Sequence, residues 1–190
     1  MTTCGADAEL SPAMAGYLAR GPRRALLAVL VTLRRRSAVA VARSGMIKRT
    51  GPLLNATDPL ERAVHATLSG PMGPGTLRRR TSVDEALVAL REQLVARGLL
   101  VPRWRRLPFR RRTSAGSRAL REVRRRYPVP AGDEPLPAVE TGMVVALYGT
   151  LDLPGIRSFA RRGGLHDRCA TESGTSADGS YTSAPPDAGN

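Results

Sequence analysis

Residues 82–98, SVDEALVALREQLVARG, constrain the fold more than any other part of the chain. Ser82 and Glu85 have the spacing of a capping box, in which each side chain binds the backbone amide of the other residue. Apolar residues then recur at helical spacing, at Val83, Leu87, Leu90 and Leu94. Gly98 stands where a left-handed glycine ends a helix. The stretch therefore predicts an amphipathic helix over residues 83–97.

A second stretch resembles this one at an offset of 61 residues, which places Leu26 on Leu87 and Leu33 on Leu94. Its helix starts at Pro22, a residue suited to the first helical position. Both helices run on into extended segments. Residues 38–43 and 46–50 flank Ser44-Gly45 as in a β-hairpin, and residues 99–101 are expected to pair with 109–113. The repeat predicts two units of similar architecture.

Shorter helices are predicted in front of each long one. The first starts at Ser11-Pro12 and ends near Gly21; the second starts at Asp58, with Glu61 completing a capping box. A short helix over residues 76–80 follows a Gly- and Pro-rich loop. Helices followed by a hairpin are the order of a winged helix, a variant of the helix-turn-helix.

The predicted fold is therefore α+β, mainly α, with two tandem winged-helix-like units at residues 11–51 and 58–127. The helix that closes the second unit starts at Thr113 or Ser114. A Pro-rich linker follows at 128–138 and a short helical segment at 139–162, which includes an apolar helix ending at Gly149. Residues 163–190 end in a stretch that is rich in Ser, Gly, Ala and Pro, and this composition predicts a disordered tail.

Charge is the strongest indication of function. The formal net charge is +14, and all basic residues except Lys48 are arginine. Such a field favours nucleic acid, an anionic membrane surface or an acidic protein as partner. The densest cluster also contains two aromatic residues, and its candidate binding residues are Arg103, Trp104, Arg105, Arg106, Arg110, Arg111, Arg112, Arg121, Arg124 and Arg125. A solvated basic face without a dedicated ligand is the alternative interpretation.

The sequence offers few candidate catalytic residues. His65 lies on a predicted helix, where a packed histidine is the ordinary interpretation, and His166 lies in the tail beside Cys169. Residues 70–75 are glycine-rich but lack the lysine of a phosphate-binding loop. Cys4 and Cys169 have no metal-ligand spacing. We expect no catalytic residues, no cofactor, no metal and no small-molecule substrate.

Five stretches in order resemble an uncharacterised actinobacterial domain-of-unknown-function family, whose members are usually described as membrane proteins. They are YLARGPRRALLAVLVTL (17–33), DPLERAVHATL (58–68), LREQLVARGLLV (90–101), RTSAGSRALREVRRR (112–126) and VALYGTLDL (145–153). The resemblance implies no known reaction and no site residues. Family members usually carry a transmembrane helix pair between the third and fourth stretches and a Gly- and Cys-rich tail; this chain lacks both.

These observations predict a small, non-enzymatic binding or interaction module with a strongly basic face. A DNA-binding winged-helix protein is the first alternative, and a peripheral membrane module on anionic lipid is the second. No apolar run reaches the roughly 18 residues that a membrane span needs. The expected location is the cytoplasm, with association at the inner face of the plasma membrane as the alternative. The ligand, biological process and oligomeric state stay open.

Overall fold

The computed structural model describes residues 9–54, 56, 58–102, 112–130, 136–150, 156–162 and 165. These residues form eight helices and one two-stranded antiparallel sheet, a mainly helical α+β architecture as predicted. In chain order the elements are α1 (Pro12–Arg20), α2 (Pro22–Arg35), β1 (Val39–Val41), β2 (Ile47–Arg49), α3 (Pro59–Thr67), α4 (Pro74–Arg78), α5 (Thr81–Ala96), α6 (Ser114–Arg126), α7 (Ala138–Tyr148) and α8 (Ile156–Arg162).

Helices α1, α2 and α7 pack against one another, and small residues set how closely they approach. A Cβ added at Gly16 would lie 2.9 Å from the Arg24 carbonyl oxygen, so α1 lies directly on the backbone of α2. A Cβ at Gly142 would lie 2.0 Å from the Thr32 hydroxyl, which places α7 equally close to α2. Because both faces of α2 are covered, every residue from 24 to 33 is buried.

The second group of helices packs α3 against α5, with α3 also contacting α2. The predicted stripe of α5 is confirmed, because Val83, Leu87, Leu90 and Leu94 are all buried. Gly98 ends this helix with φ 68°, the left-handed conformation that the sequence predicts. Buried residues of both helix groups belong to one hydrophobic core, so contacts cross the predicted boundary between the two units.

The predicted hairpin at Ser44-Gly45 is confirmed, with Val39 opposite Arg49 and Val41 opposite Ile47. Ile47 also forms an antiparallel bridge to Met72, which lies in the loop between α3 and α4. Of the second predicted strand pair, the structure describes a single bridge between Leu100 and Arg112. Residues 103–111 lie outside the described part of the chain.

Helix starts agree with the sequence at three of the four places where a side-chain cap was expected. Ser11 accepts from the Met14 amide, Asp58 from the Leu60 amide, and Thr113 from the Gly116 amide. The capping box at Ser82 is wrong. The Arg80 carbonyl accepts from the Asp84 amide at 2.9 Å, so α5 begins one residue before Ser82.

The Glu61 half of the Asp58 box is wrong as well, because the Glu61 carboxylate pairs with Arg36 at 2.7 Å instead. The expected short helix at 76–80 begins earlier, at Pro74, because proline fixes the first-turn geometry. The predicted apolar helix ending at Gly149 is confirmed as α7, with Gly149 at φ 95°, and α8 also lies within the range 139–162. The linker is described except at 131–135, and the predicted tail beyond 165 lies outside the described residues.

Candidate anionic-partner surface

Helix α6 carries the candidate surface, and its apolar side fixes its orientation. Gly116 and Leu120 are buried, while Val123 and Tyr127 pack against the same core. A Cβ at Gly116 would lie 2.1 Å from the Leu99 carbonyl oxygen, so the helix lies directly on the chain that follows α5. The Tyr148 hydroxyl donates to the Arg124 and Tyr127 carbonyls and holds the last turn against α7. The opposite side therefore faces solvent.

The solvent side of α6 is strongly basic. It exposes five arginines and one glutamate: Arg118, Arg121, Glu122, Arg124, Arg125 and Arg126. Arg125 lies 3.6 Å from Glu122, and Arg126 lies 3.2 Å from Glu9. Both pairs are exposed, so each contributes little to stability.

Three arginines of this helix lie outside those ion pairs. Arg118, Arg121 and Arg124 follow one another at three-residue steps, which places consecutive members on neighbouring parts of one helix surface. Within the described residues none of the three is in a salt bridge. We call these three residues the α6 arginine triad. Their like charges repel one another, and a bound anion would relieve that repulsion.

Of the predicted binding residues, the structure brings Arg121, Arg124 and Arg125 together on α6. Arg112 is exposed at the bridge to Leu100, directly before the Thr113 cap. Arg103, Trp104, Arg105, Arg106, Arg110 and Arg111 lie outside the described residues. The candidate list missed Arg118, which helical spacing from Arg121 identifies.

Helix α5, the helix that a winged-helix arrangement would place against DNA, exposes the opposite charge. Asp84, Glu85 and Glu92 are exposed. Arg91 is half-buried and donates to the Val101 carbonyl at 3.3 Å, so this arginine is already engaged. The acidic side chains would repel phosphate, which makes α5 a poor contact for a nucleic acid.

A second basic cluster surrounds the turn between α4 and α5. Arg78, Arg79 and Arg80 are consecutive and exposed. Arg80 borders an open depression that Thr67, Ser69 and Ser82 also line. The hydroxyls of Thr67 and Ser82 lie 2.8 Å apart, so they satisfy each other. This cluster carries the same charge as the α6 arginine triad on a different part of the chain.

His65 is packed in the structure. It is buried on α3, and its Nε2 atom lies 2.9 Å from the Gly51 carbonyl oxygen. This hydrogen bond ties the segment after β2 to α3. His166 and both cysteines lie outside the described residues. In the described part of the chain, His, Cys, Asp and Glu side chains form no cluster of three that could hold a metal ion.

Comparison of the chain with family models, curated proteins and solved structures gave no match. Among the described helices, none combines the length and the apolar character required to cross a bilayer.

Proposed function

We propose that this protein is a non-enzymatic binding module that recognises a polyanionic partner through the α6 arginine triad. The observation that carries the proposal is the placement of three exposed arginines, without ion pairs among the described residues, on one anchored helix face. Anchoring matters because a rigid helix holds the guanidinium groups near binding geometry before the partner arrives.

The distribution of the remaining charges supports the same surface. Arg36 is paired with Glu61, and Arg126 is paired with Glu9. Arg24 is buried and donates to the Val145 carbonyl, where it complements the negative end of the α7 dipole. Arg24 and Arg36 support the fold, and Glu9 partly offsets the charge of Arg126, so these arginines contribute less to binding than the net charge suggests. On α6, the arginines of the triad are those that form no ion pair with another described residue, so their charge remains available to a partner.

The winged-helix arrangement is also a proposal, supported by the element order α3, α4, α5 and the Leu100–Arg112 bridge. Met72, which lies between α3 and α4 of the second unit, forms its β-bridge with Ile47 in the hairpin of the first unit. A non-catalytic role and a cytoplasmic location complete the proposal. The engagement of His65 with a backbone carbonyl supports the non-catalytic role.

Elution from heparin–agarose in a salt gradient tests the proposed function. We compare the wild type with a variant in which Arg118, Arg121 and Arg124 are all replaced by Gln. The matched control replaces Arg78, Arg79 and Arg80 by Gln, which removes the same charge elsewhere. We expect the α6 variant to elute at clearly lower salt than the control variant. Equal shifts for both would show that retention reflects total charge, and the proposed surface would be wrong.

A further inference from the structure

We propose that the polyanion bound by the α6 arginine triad is a nucleic acid duplex, held by the phosphates of its backbone without reading the base sequence. This inference rests on the proposed function and adds the class of partner. It places the contact on α6 rather than on α5, the recognition helix of a winged-helix arrangement.

The length of the basic face fits a duplex strand. Arg118 and Arg124 are six residues apart, which corresponds to about 9 Å along the helix axis. One strand of B-form DNA presents a phosphate about every 3.4 Å of its axis, so about three phosphates fall within that length. The three arginines of the α6 arginine triad, which form no ion pair with a described residue, therefore match a similar number of phosphates.

The other side chains of the face favour contacts to phosphate over contacts to bases. Besides arginine, the exposed positions of α6 hold Ser114, Ala115, Ser117 and Glu122. Asn and Gln, which pair with adenine in the major groove, are absent from this helix. Contacts of arginine and serine to phosphate position a protein on a duplex but carry little sequence information.

A membrane surface fits α6 less well. An interfacial helix buries its apolar side among the lipids. The apolar side of α6 is already occupied, because Leu120 is buried and Gly116 contacts the Leu99 backbone. The solvent side offers no large apolar residue for insertion. A lipid surface could therefore hold this helix through charge alone.

The test is fluorescence anisotropy with a 30-base-pair duplex of random sequence, titrated between 50 and 200 mM salt. Each phosphate that a protein neutralises contributes about −0.9 to the slope of log affinity against log salt concentration. We expect a slope of about −3 or steeper for the wild type. A slope of −3 corresponds to a roughly 60-fold loss of affinity over this fourfold salt range.

Replacing Arg118, Arg121 and Arg124 by Gln should make the slope shallower by about 3, since three phosphate contacts are removed. The Arg78, Arg79 and Arg80→Gln control should change the slope by less than about 1. A second duplex of unrelated sequence should bind with an affinity within about threefold of the first, because the contacts go to the backbone. Circular dichroism verifies that both variants remain folded.

Vesicles containing phosphatidylserine and a polyglutamate peptide separate this inference from the proposed function. Triad-dependent binding to either probe without binding to the duplex would overturn the duplex inference and leave the polyanion module in place. Absence of triad-dependent binding to all three probes and to heparin would overturn both. If both triple variants changed the slope equally, the overall positive charge of the protein would hold the duplex, and the inference would also be overturned.

Discussion

Replacement of Gly142 by Ala tests the packing of α7 on α2 most directly. The added Cβ would lie 2.0 Å from the Thr32 hydroxyl oxygen, whereas ordinary contact begins at 3.4 Å. Its next neighbours, the Pro12 Cβ and the Ala28 carbonyl oxygen, are at 3.3 and 3.4 Å, so Thr32 is the main obstacle. Either α7 moves outward or the Thr32 side chain rotates and loses its 3.0 Å hydrogen bond to Ala28.

Overpacking of this kind costs roughly 1–3 kcal/mol, and loss of the hydrogen bond adds about 1 kcal/mol. Alanine regains about 1 kcal/mol over glycine in a helix interior. The expected net loss of stability for Gly142→Ala is therefore about 1–3 kcal/mol. In a chain of this size each kcal/mol lowers the melting temperature by about 2–4 °C.

The measurement is thermal and urea unfolding followed by circular dichroism, with Gly75→Ala as the matched control. Gly75 lies in α4, and a Cβ there meets no heavy atom within 4 Å. The control should gain up to about 1 kcal/mol from helix propensity alone. Adding Thr32→Ala to Gly142→Ala should recover part of the loss because the obstacle is removed. If Gly142→Ala stabilised the protein as the control does, the close α2–α7 packing would be refuted.

Two further predictions follow from the polar contacts. Thr113→Ala should lower the free energy of unfolding by about 1–2 kcal/mol because Thr113 caps α6. Ser82→Ala should lower it by less than about 0.5 kcal/mol because Ser82 caps no helix. Urea unfolding of both variants measures these losses, and equal losses would contradict the prediction. Burial raises the pKa of Glu61 above its ordinary value of 4.5, with Arg36 opposing and Asp58 adding to the shift. The folded state thus favours the protonated carboxyl, and this contribution to stability is complete below pH 4.5 and disappears as the pH rises through the raised pKa. The stability of the wild type relative to Glu61→Gln should therefore fall as the pH rises above 4.5, and a relative stability that rises instead would contradict the assignment.

Sequence patterns predicted the helices well because their signals are local. Proline at the first helical position, capping side chains and four-residue apolar steps define α1, α2 and α3 without knowledge of the rest of the chain. The turn at Ser44-Gly45 likewise defined the hairpin. The capping box at Ser82 failed because α5 begins at Thr81 without a side-chain cap, and the Ser82 hydroxyl bonds to the Thr67 hydroxyl instead.

Contacts between distant residues could not be predicted in the same way. Arg36 and Glu61 are 25 residues apart, and Glu61 had an equally plausible local partner in the capping box. Gly142 lies inside a helix, where the sequence alone indicates only that glycine weakens the helix. The structure shows why glycine is needed at this position, because Thr32 of α2 lies directly opposite it. The pairing of Ile47 with Met72 has no sequence signal of its own.

The same limit applies to the candidate surface. The sequence located the basic segment, but counting arginines does not distinguish those that bind a partner from those that support the fold. Arg24 complements the end of α7 from a buried position, Arg36 neutralises Glu61, and the Arg34 guanidinium lies 4.9 Å from the Phe159 ring centre and connects α2 to α8. These roles use the planar, permanently charged guanidinium, and lysine would not replace it equally. Part of the arginine excess is thus explained by folding, so a functional test must change the α6 arginine triad specifically and hold the total charge equal in its control.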